Sequence, residues 1–338
     1  MGDASYKPTK IAEEVVQGND RSAARLISLI EQENPEGYRA LSDLWPPARS
    51  AHVVGVTGTA GAGKSTLINA LAGRLLKEGK KVGIVAIDPS CSTGEGSLLG
   101  DRLRMKDAEK SQGVFIRSMA QRSYPGGICR AATGAVCVLE SMGKDFVMIE
   151  SIGAGQSDRE LFYLADTIIT VFTPEFGDEI QLMKAGLLEI GDIIVVNKCD
   201  KPGADDVMAA MQAYLPEAKT RGWKTPVLAL QADRGLGIDE LARSINAHGE
   251  FYQSEKMARR GEKHAHFAMT LLKEEIWKRF SEQSSRTSLA HVLEEMREGR
   301  LNPYSAVRQL GEEFEHIMKS SDEGRPDRQD DGRKSKET

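Results

Sequence analysis

No apolar run in the 338-residue sequence is long enough to cross a bilayer. The longest, such as Ile193–Val196 and residues 146–149, are strand-length, far short of the roughly 18 residues a spanning helix needs. Basic residues are not in surplus either: 45 Lys and Arg face 50 Asp and Glu, a net charge of −5. Coating a nucleic acid relies on clustered cations that release phosphate counterions, so no nucleic-acid partner is expected. Cysteine is scarce. Cys91, Cys129, Cys137 and Cys199 form no CxxC pair and no disulfide-scaffold spacing, which suits a reducing compartment and builds no cysteine cage for a metal. Residues 1–17 carry early acids and no apolar stretch behind a basic start, so neither a secretory nor a transit signal is read there and the cytoplasm is the expected location. What is present, 40% hydrophobic and 28% charged residues, is the composition of a soluble globular chain with one large domain or two smaller ones.

The N-terminal 50 residues read as a helical arm. Ala24, Leu26, Ile27 and Ile30 mark one face of a helix over residues 21–33, and a second helix over 36–44 stops at Pro46-Pro47. From His52 the pattern turns to alternating β and α units. Strands are expected at 52–56, 82–87, 114–117, 146–150, 167–172, 193–197 and 227–230, mostly continuous apolar runs rather than alternating ones. Such strands are buried on both faces, as in a parallel sheet covered by helices. The intervening helices are expected at 65–78, 127–142, 178–189, 205–219 and 238–247. After Gly249 the pattern is helical only: one long charge-laced helix over 251–280, then 289–298 and 304–319. Residues 320–338 hold too little apolar area to offset ordering and are expected to be disordered. The domain boundaries on this reading are 1–50, 51–250, 251–319 and 320–338.

The strongest chemical signal is the run from Gly58 through Gly63-Lys64-Ser65, the GxxxxGK[ST] pattern, set between the first apolar strand and an amphipathic helix. Glycines let backbone N–H groups wrap phosphates, the helix N-terminus adds partial positive charge, Lys64 reaches the β/γ oxygens and Ser65 supplies a magnesium ligand. Gly58, Ala60, Gly61, Ala62, Gly63, Lys64, Ser65 and Thr66 are therefore the expected phosphate-binding residues. Asn197-Lys198-Cys199-Asp200 follows a later buried strand and matches the NKxD pattern that reads guanine. The Asp200 carboxylate accepts from guanine's N1 and exocyclic amine, where adenine presents an acceptor, so the expected cofactor is GTP or GDP with Mg2+. Ala232 can offer a backbone N–H to the base, although Gln231 stands where a Ser is usual. Asp88, Asp101 and Glu150 are the expected carboxylates of the magnesium site, two of them at strand ends beside the phosphate loop. Lys64, Glu150 and Gln156 are the catalytic candidates, Gln156 either orienting the attacking water or touching a partner. Residues 89–101, 152–158 and 174–186 are candidate switches, loosened by glycines in the first two.

Other residues invite blander readings. His264-x-His266, with Arg259, Arg260 and Lys263, reads as a solvated helix face rather than a metal site. Cys129 and Cys137 read as packing residues on one helical face. Leu271, Leu272, Trp277 and Phe280 form an apolar stripe with no sheet left to cover, which points to a homodimer.

Taken together, GVTGTAGAGKSTLINAL, IDPSCSTGEGSLLGDRLRM, FVMIESIGAGQSD, GDEIQLMKAGLLEIGD and VVNKCD resemble the MeaB/ArgK family of P-loop GTPases. The resemblance spans residues 18–280. It implies an α/β P-loop NTPase fold with a mostly parallel sheet covered by helices on both faces, an N-terminal helical arm and a C-terminal helical dimerisation extension. It further implies a GTPase slow alone and stimulated by a partner: a chaperone that gates adenosylcobalamin delivery from an adenosyltransferase to a cobalamin-dependent acyl-CoA mutase and protects or reactivates that mutase. By the same resemblance Lys64 and Ser65 bind phosphates and magnesium, Asp88, Asp101 and Glu150 form the magnesium and switch network, and Asn197, Lys198 and Asp200 read guanine. Departures at residues 118–125 and at Gln231 suggest a divergent subgroup, whose client is methylmalonyl-CoA mutase or a relative such as 2-hydroxyisobutyryl-CoA mutase. Two alternatives stand beside this reading. A nickel-insertion GTPase would need a His-rich tract or a Cys/His pair, against six scattered His here; a self-sufficient small-molecule kinase conflicts with the guanine motif.

Overall fold

The computed structural model describes residues 8–48, 50–88, 113–120, 127–151, 161, 163–174, 187–215, 222–283 and 286–323. The chain forms two compact units, residues 1–267 and 268–338.

The first unit is built on seven strands: β1 His52–Gly58, β2 Val82–Asp88, β3 Val114–Ala120, β4 Phe146–Glu150, β5 Thr167–Phe172, β6 Ile193–Val196 and β7 Val227–Ala229. They form one sheet in the order β3-β2-β4-β1-β5-β6-β7, with every neighbouring pair parallel. All seven expected strands are present. β1 sits centrally between β4 and β5, so the loop after it opens at the carboxyl edge of the sheet, where ligands of such folds bind.

Two cores flank the sheet. On one face, α4 Lys64–Lys77 and α8 Ile238–Phe251 pack Leu67, Ile68, Leu71, Leu241 and Ile245 against Val54, Val56, Ile84, Ile169 and Val195. The five buried aliphatic residues of α4, Leu67, Ile68, Leu71, Ala72 and Leu75, recur at i, i+1, i+4, i+5 and i+8, one helical face. At about 2 kcal/mol for each fully buried aliphatic side chain, this stripe is what seats the helix. On the other face lie α5 Gly127–Ser141 and the N-terminal arm, α1 Lys10–Val16, α2 Asp20–Glu31 and α3 Pro35–Leu44. The arm is part of this core, not a satellite: Leu26, Ile27 and Ile30 are fully or almost fully buried. Arg117 of edge strand β3 also pairs with Glu31 of α2. Asparagine side chains cap two of these helices. Asn19 accepts from the backbone N–H of Arg21 and Ser22, and Asn34 accepts from that of Glu36, with Pro35 at the first helical position. A smaller cluster of Phe172, Leu188, Ile194, Val196, Val207 and Met211 seats α6 Leu187–Ile190 and α7 Ala204–Tyr214.

Several expectations change. α1 was not anticipated from periodicity; it is seven residues long and buries only Ala12 and Val15. The helix expected over 251–280 is instead two: α8 continues to Phe251, a 3₁₀ turn covers Gln253–Glu255, and α9 runs Lys256–Gln283. The break sits where His248, Phe251 and Tyr252 gather around one another and Trp223, with ring centroids 4.8 to 5.4 Å apart. His264 and His266 are both exposed, as expected of a solvated face, and each also meets an aromatic ring. His264 meets Trp45 edge-on at 4.8 Å, and His266 stacks on Tyr163 at 3.9 Å. Of the helix expected over 178–189, residues 178–186 lie outside the described residues, as do 216–219 of that expected over 205–219.

Beneath those rings Arg260 donates to Asp166 at 2.5 Å, to Glu140 at 2.8 Å and to the Ala51 carbonyl at 2.8 Å. Burial pushes the Asp166 carboxyl up, but the Arg260 bonds outweigh it and hold it at about 2. His52 lies alongside, its Nε2 2.7 Å from Thr167 Oγ1, and burial pulls its ring down to about 4.

In the second unit, the rest of α9 is followed by α10 Arg286–Arg297 and α11 Pro303–Glu323. Phe280, Val292 and Ala306 are buried, and Phe280 meets Phe314 edge-on at 5.8 Å. Of the apolar stripe, Trp277 is 56% and Leu272 49% exposed, and Tyr304 and Val307 on α11 stand open as well.

Candidate nucleotide site

The turn after β1 needs glycine for geometric reasons. Gly58 has φ +140°, and a Cβ there would lie 2.2 Å from the Val171 carbonyl oxygen. Gly63, the residue before α4, has φ +88°, and a Cβ there would meet the Asn197 amide nitrogen at 2.4 Å. Both positions combine a left-handed backbone with a close approach that no side chain allows.

Between these glycines the loop folds around its own lysine. Lys64, 7% exposed, donates through Nζ to the carbonyls of Gly58 at 2.9 Å and Thr59 at 3.0 Å. Ala62 is buried, whereas Ala60, Gly61 and Thr66 are exposed at the mouth. An ammonium held inside its own loop is placed to turn toward phosphate oxygens. Ser65, the next residue of α4, donates to Glu150 Oε1 at 2.6 Å. Glu150 ends β4 in register with Val56 of β1, which is why its carboxylate reaches the first turn of α4.

The guanine motif follows β6. Asn197 is 4% exposed and works as a bridge: its side-chain amide donates to the Ala62 carbonyl at 2.8 Å, and its Oδ1 accepts from the Ala232 N–H at 3.1 Å. One side chain thus joins the phosphate loop to the loop after β7. Lys198 has φ +58°, a left-handed conformation for a non-glycine residue. Asp200 is exposed, its carboxylate open to a ligand. Gln231, in place of the usual Ser, is buried and pairs backbone-to-backbone with Leu236 in an isolated antiparallel bridge. The Ala232 N–H expected at the base is taken by Asn197 here.

The structure therefore brings Gly58, Ala60, Gly61, Ala62, Gly63, Lys64, Ser65, Thr66, Glu150, Asn197, Lys198, Asp200 and Ala232 to one edge of the sheet. Asp88 ends β2 on that edge, its side chain outside the described residues. Asp101 and Gln156 lie outside them too, as do residues 89–101, 152–158 and 175–186 of the candidate switches. Among the described residues no three His, Cys, Asp or Glu side chains could together hold a metal. The Ser65–Glu150 pair nonetheless fits Mg2+, which takes one or two protein oxygens and completes its octahedron with phosphate oxygens and water. Sequence reasoning missed the pairing of Ser151 with Thr57 directly behind this site. Its only signal was two hydroxyl residues at the ends of otherwise apolar strands.

Comparison with known proteins agrees with this geometry. Residues 23–285 match the family model described as methylmalonyl Co-A mutase-associated GTPase MeaB. A putative GTPase of Pyrococcus abyssi is 36% identical over 307 residues, covering 88% of this chain and 94% of the relative. The mouse protein named methylmalonic aciduria type A homolog, mitochondrial, is 30% identical over 262 residues, 75% of this chain and 63% of its own length. Among solved structures, one titled LAO/AO transport system kinase superposes with a TM-score of 0.69 over 90% of this chain and 97% of its own. At 24% identity that likeness speaks for the fold alone.

Proposed function

The chain belongs to the MeaB family of methylmalonyl Co-A mutase-associated GTPases, and on that premise we propose that it is a GTP-driven chaperone of an adenosylcobalamin-dependent acyl-CoA mutase. It binds guanine nucleotide and hydrolyses GTP, as its family and the GTPases related to it do. The finer reading is that nucleotide state gates adenosylcobalamin transfer from an adenosyltransferase to the mutase and protects the loaded mutase. The client is methylmalonyl-CoA mutase or a relative such as 2-hydroxyisobutyryl-CoA mutase.

The observation that carries the nucleotide part is the Asn197 bridge. It fastens the guanine-reading segment to the phosphate loop through Ala62, so the base and phosphate ends of one ligand are read by a single linked unit. On this reading Asp200 accepts from the base, the loop N–H groups from Gly58 to Thr66 and Lys64 hold the phosphates, and Ser65 and Glu150 hold Mg2+, with Asp88 and Asp101 in the same network. Bound Mg2+ neutralises charge on the β- and γ-phosphates. Glu150 sits where strand β4 passes into residues 152–158, so a change at the γ-phosphate has a direct covalent route into that segment. Gln156 belongs to the same segment and orients water or meets the client. No arginine lies within the phosphate loop, which supports slow turnover alone and acceleration by a partner. The exposed Trp277, Leu272 and Tyr304 support a homodimer through the C-terminal helices.

Complex formation tests the proposal. On a sizing column, the full chain loaded with a non-hydrolysable GTP analogue co-elutes with purified acyl-CoA mutase, and the nucleotide state changes the amount bound. Separate elution with every nucleotide would end the chaperone reading and leave a GTPase with another client.

A further inference from the structure

Ser151 and Thr57 meet behind the site, on the other side of the sheet from the residues expected to touch nucleotide. Ser151 follows Glu150 directly. Its backbone N–H donates to the Val56 carbonyl at 3.0 Å, carrying the β1–β4 ladder one residue past the end of the strand. Its Oγ donates to Thr57 Oγ1 at 2.9 Å. Both side chains are closed to solvent, Thr57 at 0% and Ser151 at 2%. Ser151 is therefore fastened to two consecutive residues of β1, and the next residue of that strand is Gly58, whose carbonyl receives Lys64 Nζ.

The alternation of a strand sends successive side chains to opposite faces. Val54 and Val56 belong to the core under α4, so Thr57 turns away from it. Glu150 turns toward α4, where it meets Ser65, so Ser151 turns away as well. Neither hydroxyl can reach the ligand, but each neighbours a residue of the site. From this geometry we infer that the Ser151–Thr57 hydrogen bond is a positioning device for GTP hydrolysis: it fixes the entry to the phosphate loop against the exit of β4, setting where the Glu150 carboxylate stands relative to Ser65 and Lys64. The register places Thr170 of β5 opposite Thr57 of β1, with its side chain also fully buried, so the bond lies in a row of buried hydroxyls within the sheet. In such surroundings a buried hydrogen bond favours one relative setting of the two strand ends over others.

The inference rests on the reading of Glu150 as part of the magnesium and γ-phosphate site, and the test separates the two. Steady-state GTP turnover as a function of Mg2+, together with thermal unfolding, is measured on the full chain for wild type, Ser151→Ala, Ser151→Thr, Thr57→Val, the double variant Thr57→Val/Ser151→Ala, and Glu150→Ala. The expected result is a kcat lowered about tenfold in Ser151→Ala and Thr57→Val, corresponding to roughly one buried hydrogen bond lost from the transition state. KM for GTP stays within about twofold, and Ser151→Thr, which keeps the hydroxyl, retains wild-type turnover. Because the two groups act as one unit, the double variant is no slower than the slower single variant. Wild-type kcat in both single variants, losses that multiply in the double variant, or a Ser151→Thr enzyme as slow as Ser151→Ala would each overturn the inference. If Glu150→Ala is impaired while the hydroxyl variants are not, this inference alone fails. If Glu150→Ala turns over GTP with wild-type Mg2+ dependence, the magnesium reading fails, and this inference with it.

Discussion

Ser65 Oγ and Glu150 Oε1 lie 2.6 Å apart, joining the first turn of α4 to the last residue of β4. On the proposed reading these two hard oxygens are the protein's share of a magnesium site, the rest falling to phosphate and water. Glu150→Ala removes one of them. Turnover is expected to fall at least about tenfold, since a charge-assisted contact is worth ~1.4 kcal/mol or more. GDP affinity measured without Mg2+ should stay unchanged. Equal Mg2+ dependence in wild type and variant would remove Glu150 from the site.

Base reading is separable from phosphate binding. Asp200 is exposed two residues after Lys198, and on the proposed reading its carboxylate distinguishes guanine by accepting from N1 and the exocyclic amine. With Asp200→Asn the preference should shift from guanine to xanthine nucleotides, whose added carbonyl accepts from the new amide. Isothermal titration with GDP, XDP and ADP is the check, and unchanged GDP selectivity would show that the base is read elsewhere.

The apolar stripe of the second unit makes an association prediction. Trp277 and Leu272 are about half exposed and Tyr304 is 89% exposed. The full chain is expected to scatter light as a dimer, and Trp277→Asp, which places a charge in the patch, to yield monomers with nucleotide binding intact. A variant that remains dimeric would put the interface on another surface.

Stability should depend on His52. The buried imidazole stays neutral in the folded chain until about pH 4, whereas the unfolded chain takes up the proton below its ordinary 6.5. Protons therefore favour the unfolded state across that window: the contribution is fully present above about pH 6.5 and is lost as pH falls toward 4. Linkage sets an upper bound of about 3 kcal/mol on the loss. Glu140, whose carboxyl burial raises, works in the opposite sense, and Asp166, held near 2, titrates below the window. The measured quantity is thus the difference between wild type and His52→Gln in urea unfolding from pH 7 to 4. The variant should lose less stability on acidification, and parallel curves would contradict the assignment.

Much of this was legible in the sequence because the signals are local. Seven apolar runs became seven strands since parallel strands buried on both faces need no alternation. The loop from Gly58 to Ser65 and the NKxD run announced themselves by spacing. Pairings between distant residues were not legible. Arg260 meets Asp166 and Glu140 across sequence separations of 94 and 120, so its ion pairs could not be read from the helix that also carries the exposed His264 and His266. The hydroxyl bond from Ser151 to Thr57 spans 94 residues and appears only when β1 and β4 are aligned in register. α1 escaped notice because two buried residues in seven make no period.

The most direct measurement of the central claim is the rate of GTP turnover by the full chain, alone and with a purified adenosylcobalamin-dependent acyl-CoA mutase, for wild type and for Lys64→Ala. The account predicts slow turnover alone, at least tenfold stimulation by the mutase, and no turnover above background in Lys64→Ala under either condition. Fast turnover alone, or a rate that no cobalamin-dependent mutase changes, would contradict it.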